Sequence, residues 1–491
     1  MIKKDRKFNI LVIITLVCLS IVLTIRTLQN DTFYTIKIGE SILENGLDMK
    51  EHFSFHQGLE YTYPHWLYDI GIFLIYEFFG MFGIYISTII LAFILLSTMY
   101  VTTKNIIKDK YIAYTLVTLS SVMLRPYITA RAQLVTYILF LMILYFLEKL
   151  KETNKKRYAI YIILTAILIA NVHVAVWPMI LVLFLPYLVS DVTHMILNKF
   201  KNKKEEDIRI EIEEPKNFKL LLTTFIMTIL TCFITPKFLL PFTYLLNTKK
   251  GITLANISEH RAITIEDKPM LFIILALIVF VLLQPKMKIK LKDLFFIAGL
   301  SLLSFMSSRS FSLFIILLLF SIGRLVKDYL SNHKKIKLEK ILNHQVVYIV
   351  IITLLLSSAI VVYKHEEQKE FIDSTKYPIE AVKHIKKELN VDEIRLYNEY
   401  NFGSYLIYKD IKPFIDSRAD LYTEEFNKGC TVFKDSVTIF KNYEATFNDY
   451  GITHILLYKK NKLTKILELN TEYKNLYEDN YFVLYEKIKG E

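Results

Sequence analysis

Cysteine, glycine and proline are scarce in this sequence, at 3, 13 and 11 of 491 residues. Three cysteines, Cys18, Cys232 and Cys430, do not supply a disulfide framework. The shortage of glycine and proline excludes a collagen and a low-complexity linker. Neither G-x-G-x-x-G after a strand nor G-x-x-x-x-G-K-[ST] occurs, so the sequence shows no nucleotide site. No A-x-A-like cleavage site follows the first apolar run, which predicts an uncleaved membrane span.

Charge is absent from long stretches of the chain. Hydrophobic residues make up 53% of the sequence, above the roughly 45–50% of an ordinary soluble domain, which excludes a soluble enzyme. A membrane-spanning helix needs about 20 mostly apolar residues, so the uncharged runs predict a polytopic α-helical membrane protein with about eleven spans. The two shortest runs, 111–124 and 310–323, are the least typical of a span. The runs are 8–25, 82–103, 111–124, 132–147, 158–172, 174–190, 220–236, 270–284, 294–308, 310–323 and 346–363.

The distribution of Lys and Arg predicts the orientation. With eleven spans and a cytoplasmic N-terminus, the segments on the cytoplasmic side hold 29 Lys and Arg, against 11 in the connections on the other side. This asymmetry follows the positive-inside rule. The net charge of +12 is therefore explained by membrane topology and gives no reason to expect a nucleic-acid partner. The cytoplasmic segments are 1–7, 104–110, 149–157, 199–219, 286–292 and 324–345.

Residues 364–491 have a different pattern and predict a separate soluble, extracytoplasmic α/β domain, after a membrane domain of residues 1–363. Helices are predicted over 378–389, 436–450 and 463–478, and strands over 393–398, 412–416, 453–458 and 481–486. Alternation of helix and strand is typical of an α/β layer with mostly parallel pairing.

The first outer connection, 26–66, is long and carries several polar side chains. Asp31 directly follows the first span and begins a helix that runs to Gly46. It is interpreted either as the N-cap of that helix or as a general base at the membrane surface. The segment 67–80 contains Asp69 and Glu77, and we expect it to form an amphipathic helix lying at the outer surface.

Histidines in this connection offer a weak case for a metal. His52 and His56 are four residues apart, but HFSFH is expected to be extended and has neither an H-E-x-x-H pattern nor a cysteine partner. We therefore expect no metal cofactor. His65 and Trp66 are expected to anchor the surface helix at the interface.

Arginines on the outer side are the next candidates. Arg125, Arg131 and Arg309 each interrupt an apolar stretch, and a charge in that position is costly unless it has a partner. They either contact lipid phosphates or form a phosphate clamp in an internal cavity, since a guanidinium is a permanent cation with a fork of donors. Asn171, His173 and Glu259 lie on the same side.

Four stretches resemble a known family. They lie within the first outer connection, the surface helix and the tail, and two of them depart from the family pattern: Ser404 stands for a second glycine, and either Asp48 or Glu51 is the second acidic position. With the first span, the acidic residue after it and the many spans, they resemble the GT-C glycosyltransferases, which include protein O-mannosyltransferases and lipid A aminoarabinose transferases. The stretches are DTFYTIKIGESILENG, EHFSF, PHWLYDIGIFLIYEFFGMFG and NEYNFGSYLIYKDIKPFIDSRADLY.

The resemblance implies a hexosyl or pentosyl transferase in a bacterial plasma membrane. Its donor is a polyprenyl-phosphate sugar, and its acceptor is an extracytoplasmic glycan, lipid or protein that receives the sugar with inversion. Asp31 takes the acceptor proton, and Arg125, Arg131 and Arg309 hold the donor phosphate. The remaining substrate-binding positions implied are Glu51, His65, Asp69, Asn171, His173 and Glu259.

Two other functions stay open from the sequence. A transporter or flippase of a lipid-linked saccharide needs the arginines but no base beside the first span. A non-catalytic envelope assembly protein would use its tail to bind a partner. The motif with Asp416, Arg418 and Asp420 is either a site or a packed strand and turn.

Overall fold

The computed structural model describes residues 2–200, 209–236, 238–248, 251–332, 338–342 and 344–488. Parts of three predicted connections, at 201–208, 249–250 and 333–337, lie outside the described residues. The chain divides into two compact units. The helical unit comprises Met1–Ile25, Tyr85–Phe242 and Ile257–Gln368, and the loop–tail unit comprises Arg26–Ile84, Thr243–Asn256 and Lys369–Glu491.

Each of the eleven predicted runs is helical in the structure. Their apolar side chains pack into one continuous core, and the first and last of these helices pack against each other. Short helices at Leu240–Thr248, Thr253–Asn256 and Leu338–Leu342 lie between them. The long helices are Ile2–Leu23, Trp66–Ile107, Lys110–Met123, Ala132–Thr153, Lys156–Val172, Pro178–Phe200, Phe218–Leu230, Pro269–Leu283, Leu291–Met306, the pair Phe311–Leu317 and Leu319–Asn332, and Gln345–Glu367.

Length and composition identify fewer spans than the uncharged runs predict. Among the described residues, 5 helices are long and apolar enough to cross a membrane, or up to 6 if a bent pair counts as one span. That pair, Ser308–Leu317 and Leu319–Asn332, is bent by 49°. The chain is therefore a multi-pass membrane protein, and the count of eleven stays a prediction.

The segment 67–80 is helical as predicted and ends at a glycine, and its location at the membrane surface stays a prediction. The helix Trp66–Ile107 is broken at Gly80, whose φ of 61° and ψ of −159° lie outside the helical region. A positive φ costs glycine little because it has no Cβ. Residues up to Ile84 belong to the loop–tail unit and those from Tyr85 to the helical unit. The break therefore lies four residues before the boundary between the two units.

The tail contains a four-stranded sheet with helices packed on it. Its spatial order is Leu396–Asn398, His454–Tyr458, Phe482–Lys487 and Tyr473–Glu478. Only the first pair is parallel, and the other two pairs are antiparallel, so the prediction of mostly parallel pairing was wrong. The tail helices are Ile379–Glu388, Gly403–Tyr408, Val432–Val437, Ile439–Asp449 and Lys462–Glu468.

Two tail elements differ from the sequence prediction. The predicted strand 412–416 is reduced to an isolated parallel bridge between Pro413 and Leu396. The buried side chain of Asn398 bonds the backbone that follows: Nδ2 donates to Ile415 O over 2.7 Å, and Oδ1 accepts from Phe414 N over 2.8 Å. The predicted helix 463–478 ends at Glu468, and Tyr473–Glu478 is an edge strand. That strand forms because Asp479 closes a hairpin by accepting from Tyr481 N and Phe482 N.

The division at residue 363 placed the first outer connection with the membrane helices, and the structure places it with the tail. The helix Asn30–Asn45 packs on Gly403–Tyr408, and the Phe33 ring lies edge-on to the rings of Tyr377 and Tyr405, at centroid distances of 5.0 and 5.4 Å. Burying these aromatic rings stabilises the unit. The loop and the tail therefore form one folding unit.

Gly403 and Ser404 begin the tail helix that receives this contact. A Cβ on Gly403 would lie 1.9 Å from the carbonyl oxygen of Ile415, so no side chain fits there. Ser404 is buried, and its Oγ lies 2.8 Å from Ser417 Oγ. The departure at position 404 thus supplies a hydrogen bond, whereas glycine at 403 is required by the close backbone approach.

Connections assigned to the cytoplasmic side meet at one end of the helical unit. Lys151 pairs with Asp191 over 2.6 Å, and Ile210–Glu211 pairs in parallel with Ile289–Lys290. The outer connections 125–131, 257–268 and 307–310 meet at the opposite ends of some of the same helices, as the contacts below show. The assignment of alternate connections requires this grouping, although the grouping does not say which end faces the cytoplasm.

Candidate active site

Asp31 lies in the first turn of the helix Asn30–Asn45 and is partly buried. The N-cap position belongs to Gln29, which makes no side-chain capping bond, so the interpretation of Asp31 as the N-cap was wrong. A carboxylate in the first turn is favoured by the helix dipole. The structure therefore places Asp31 in the first turn, where the helix dipole stabilises a negative charge.

Tail residues surround the start of this helix. Asn30 Nδ2 donates to Tyr400 O over 3.2 Å, and the Tyr377 hydroxyl donates to Leu28 O over 3.2 Å. Burial raises the pKa of Tyr377, and the carboxylate of Asp31 adds to this effect. Asp31 is thus held near Tyr377 by contacts of residues that come just before it in the sequence.

A buried ion network joins the first outer connection to the tail. Arg418 Nη1 donates to Glu51 Oε2 over 2.6 Å and Nη2 to Glu51 Oε1 over 2.9 Å. Arg418 also donates twice to Asp416, through Nε over 2.8 Å and Nη2 over 2.7 Å. The Tyr422 hydroxyl donates to the same carboxylate. The side chains of Glu51 and Asp416 have no solvent exposure.

This network favours a structural role for the second acidic position. Glu51 Oε1 also accepts from Phe53 N and Ser54 N, over 2.8 and 2.7 Å. Hydrogen-bond donors of the loop–tail unit itself therefore contact both oxygens of the Glu51 carboxylate. Asp48, the alternative, is half exposed and lies 2.6 Å from His52 Nε2. Substrate binding by Glu51 stays a prediction that this geometry does not favour.

Asp420 lies apart from the Glu51–Arg418 pair. Its Oδ2 accepts from the Tyr244 hydroxyl over 2.7 Å. The motif at 416–422 is therefore a buried turn with ion pairing between Asp416 and Arg418, and it ends in the 3-10 helix Ala419–Tyr422.

His65 and Asp69 form a second pair in the loop–tail unit. Their Nδ1 and Oδ1 atoms are 2.7 Å apart, and the Tyr34 hydroxyl lies 3.1 Å from His65 Nε2. Asp69 is buried against Gly39, where a Cβ would lie 2.2 Å from the Asp69 carbonyl oxygen. These contacts fix the start of the surface helix, and substrate binding by the pair stays a prediction.

In the helical unit, Arg131, Arg309, Glu259 and His260 form a group that we call the basic cluster. Arg131 Nη1 donates to Glu259 Oε1 over 3.1 Å. Burial acts to raise the pKa of Glu259, but the charges of Arg131 and Arg309 outweigh it and hold that pKa below its usual range. Burial and the charge of Arg309 lower the pKa of His260. Two of the three predicted arginines are thus brought together.

The other predicted residues of the helical unit lie elsewhere. Arg125 Nη2 is 3.8 Å from Oε1 of the buried Glu366. Asn171 Nδ2 donates to the carbonyls of Ile167 and Ile234, each over 2.9 Å. His173 is 5% exposed, with Nδ1 3.2 Å from Thr136 Oγ1. These contacts tie helix ends together, and a substrate-binding role for Asn171 and His173 stays a prediction.

A second charge network lies in the helical unit, at the helix ends away from the basic cluster, and it was not among the sequence predictions. Arg324 donates to Asp293 through Nε over 2.8 Å, and the Tyr187 hydroxyl donates to Glu148 over 2.9 Å. Lys292 Nζ lies 3.3 Å from Glu148 Oε2. The signal was present in the sequence, because each of these charges falls within or beside an apolar run.

The part of the chain that the structure describes holds no group of three or more His, Cys, Asp or Glu residues placed to bind a metal ion.

Solved structures confirm the predicted resemblance at the level of fold. Crystal structures of ArnT from Cupriavidus metallidurans match over 97% of both chains at 11% identity, with a TM-score of 0.53 for the form bound to undecaprenyl phosphate and 0.56 for the apo state. The archaeal oligosaccharyltransferase AglB from Archaeoglobus fulgidus, in complex with an inhibitory peptide and a dolichol-phosphate, matches 95% of this chain and 71% of its own at 11% identity, with a TM-score of 0.56.

No protein-family model matches the sequence, and no curated protein matches it.

Proposed function

We propose that the chain is a membrane glycosyltransferase that moves a sugar from a polyprenyl-phosphate donor to an extracytoplasmic acceptor, with inversion. The observation that carries this proposal is the similarity in fold to ArnT over 97% of both chains, with a structure of that protein bound to undecaprenyl phosphate. The position of Asp31, eight residues after the end of the first apolar helix, supports it from the residues.

The basic cluster is the proposed site of the donor phosphate. Arginine suits a phosphate because its planar fork of donors makes paired, charge-assisted hydrogen bonds. Arg131 is 22% exposed and Glu259 holds its guanidinium in place. Two arginines around one glutamate leave a net positive charge, which favours an anion. A leaving phosphate gains more from such preorganised charge than from water.

Asp31 is the proposed general base. The acceptor oxygen attacks the anomeric carbon from the side opposite the phosphate, and its proton passes to the Asp31 carboxylate. The bond between the anomeric carbon and the phosphate oxygen breaks, and the electron pair leaves with the polyprenyl phosphate. One displacement inverts the anomeric centre. The balance of atoms and charge needs no further reactant.

The test is transfer by the purified protein in liposomes that contain a panel of polyprenyl-phosphate sugars, with glycan, lipid and protein acceptors supplied, and with the release of polyprenyl phosphate as the readout. Asp31→Asn keeps the size of the side chain but cannot accept the proton, and loss of a positioned base costs about 10²–10⁴-fold in rate. Glu44→Gln is the matched control, since Glu44 is exposed on the same helix.

Transfer by Asp31→Asn at the wild-type rate would refute its role as the base. A protein that moves the donor between leaflets without releasing polyprenyl phosphate is a flippase, and one that does neither with any donor of the panel is an assembly protein. Either result contradicts the proposal.

A further inference from the structure

The tail holds a surface groove that the proposed chemistry does not use. Its volume is about 710 Å³, within the range of small-molecule sites, about 300–1,000 Å³. It lies where the parallel strands Leu396–Asn398 and His454–Tyr458 end, since Glu399, Asn401 and Lys460 follow those strands and line it. The carboxyl ends of parallel strands are the usual place for a ligand in an open sheet. We call it the tail groove.

Aromatic rings line part of the tail groove and face solvent. Phe440 and Tyr481 are each 46% exposed, although rings of this size are normally buried. Tyr458, the last residue of the strand His454–Tyr458, also lines the groove, and its hydroxyl donates to Lys376 O over 2.7 Å. A sugar ring presents an apolar C–H face that covers such a ring, and burying it removes apolar surface from water.

Positively charged and hydrogen-bonding side chains line the rest of the tail groove. Lys376, Lys460 and Lys462 contribute three positive charges, and Asp373 pairs with the first of them over 3.2 Å. The acidic lining residue, Glu399, is largely buried, which raises its pKa, and it accepts a hydrogen bond from Tyr458 N over 2.8 Å. Three lysines against the two carboxylates of Asp373 and Glu399 leave the groove with a net positive charge. Asn401 also lines it, whereas the side chain of Asn461 already caps the helix Lys462–Glu468 by accepting from Leu463 N over 2.9 Å.

Residues next in sequence to the lining of the tail groove contact the start of the helix that carries Asp31: Tyr377 donates to Leu28 O, and Tyr400 O accepts from Asn30. Tyr377 follows the lining residue Lys376, and both Asp31 and Tyr458 lie close enough to raise the pKa of Tyr377 alongside its burial. On the other side, Tyr400 accepts from Asn30 and precedes the lining residue Asn401. A chain of several sugar rings that occupies the groove can therefore extend toward the proposed base.

We propose that the tail groove binds an acidic saccharide and presents its hydroxyl to Asp31, so that this saccharide is the acceptor class. Only the role of this saccharide as the acceptor rests on the proposed function, and its binding in the groove does not. An acidic peptide matches the lysines but has no apolar ring face for Phe440 and Tyr481. A neutral saccharide matches the rings but not the charge.

The experiment measures binding to the full-length protein in nanodiscs by calorimetry, with three probes of equal length: hexagalacturonate, maltohexaose and hexaglutamate. We expect hexagalacturonate to bind on the order of tenfold tighter than the other two, with an affinity that falls as salt rises. Equal binding of maltohexaose would overturn the role of charge, and equal binding of hexaglutamate would overturn the choice of a saccharide.

Variants locate the site. Lys460→Glu with Lys462→Glu, and separately Phe440→Ala, should each weaken hexagalacturonate on the order of tenfold. The matched control is Lys465→Glu with Lys474→Glu, two exposed lysines of the tail that do not line the groove. An unchanged thermal transition shows that each variant is folded. Equal affinity in groove and control variants would overturn the inference.

The Asp31→Asn variant separates the two proposals. It should bind hexagalacturonate as tightly as the wild type while losing transfer. Wild-type protein that transfers sugar but does not bind hexagalacturonate contradicts the groove alone. Groove-dependent binding together with full transfer by Asp31→Asn contradicts the proposed base alone.

Discussion

Arg418 and Glu51 are 367 residues apart in the sequence and share two hydrogen bonds, over 2.6 and 2.9 Å. The guanidinium also lies over the rings of Phe53 and Tyr61, at 5.3 and 5.0 Å from their centroids. The first outer connection thus surrounds a tail side chain on several sides. A buried charge of this kind is stable only while its partners are present.

Arg418→Met should loosen the first outer connection. Removing one partner of a buried pair typically costs about 3–5 kcal/mol, because the other charge stays buried without compensation. We expect faster protease cleavage within 47–60 and a lower thermal transition of the purified protein. The double variant Glu51→Gln with Arg418→Met should recover part of the loss. Additive losses in the double variant would contradict direct coupling.

Arg131→Lys and Arg309→Lys should each weaken the binding of undecaprenyl phosphate about tenfold, because one charge remains but the planar fork is lost. Arg125→Lys is the comparison, since Arg125 lies near Glu366 and not in the basic cluster. Binding is measured by titration of protein in nanodiscs. Equal losses in all three variants would show that the cluster has no special role.

His56 should make the loop–tail unit sensitive to acid. Burial, together with the charge of Arg395, lowers the pKa of His56 to about 4, and its Nε2–H donates to Phe414 O over 2.8 Å. The unfolded chain, with an ordinary histidine pKa near 6.5, binds more protons between these values. Stability should therefore fall as pH decreases from about 6.5 to 4, by up to roughly 3 kcal/mol.

His56→Gln should flatten that part of the pH profile, because glutamine can donate to the same carbonyl and does not titrate. His52→Gln is the control, since the His52 side chain is 44% exposed. The measurement is the thermal transition of each variant from pH 4 to 7. A profile that is identical in wild type and His56→Gln would remove His56 as the cause.

Single cysteines should report the predicted orientation. With Cys430 replaced by Ser, Glu444→Cys should react with an impermeant thiol reagent in intact cells and Asn332→Cys only after lysis. Cys18 and Cys232 are buried and should not interfere. The reason is the excess of 29 over 11 Lys and Arg on the side of Asn332. Labelling of both sites in intact cells would contradict the topology.

Local pattern predicted the helices well because an uncharged run must bury its backbone polar groups within itself. It also predicted the strands at 453–458 and 481–486 to within a residue. Local pattern could not predict which residues pair when they are far apart in the sequence. Nothing near Glu51 indicates that its partner is Arg418, so the first outer connection was assigned to the wrong unit.

The same limit applies to the candidate site. The sequence singles out Asp31, Arg131 and Arg309 because each is a charge at the end of an apolar run. The role of Glu259 between two arginines does not, because it depends on turns from separate connections that meet only in the fold. The tail groove was also hidden, since its lysines and rings come from four separate segments of the tail.

The close approach at Gly403 has a consequence for tracing relatives of this chain. Position 403 faces a backbone carbonyl that cannot move aside, so every sequence with this packing should keep glycine there. Position 404 faces Ser417, a side chain that can itself change. In distant homologues, the residues at positions 404 and 417 should therefore change together. A sequence pattern that requires two adjacent glycines would miss homologues in which two hydroxyl side chains make this contact.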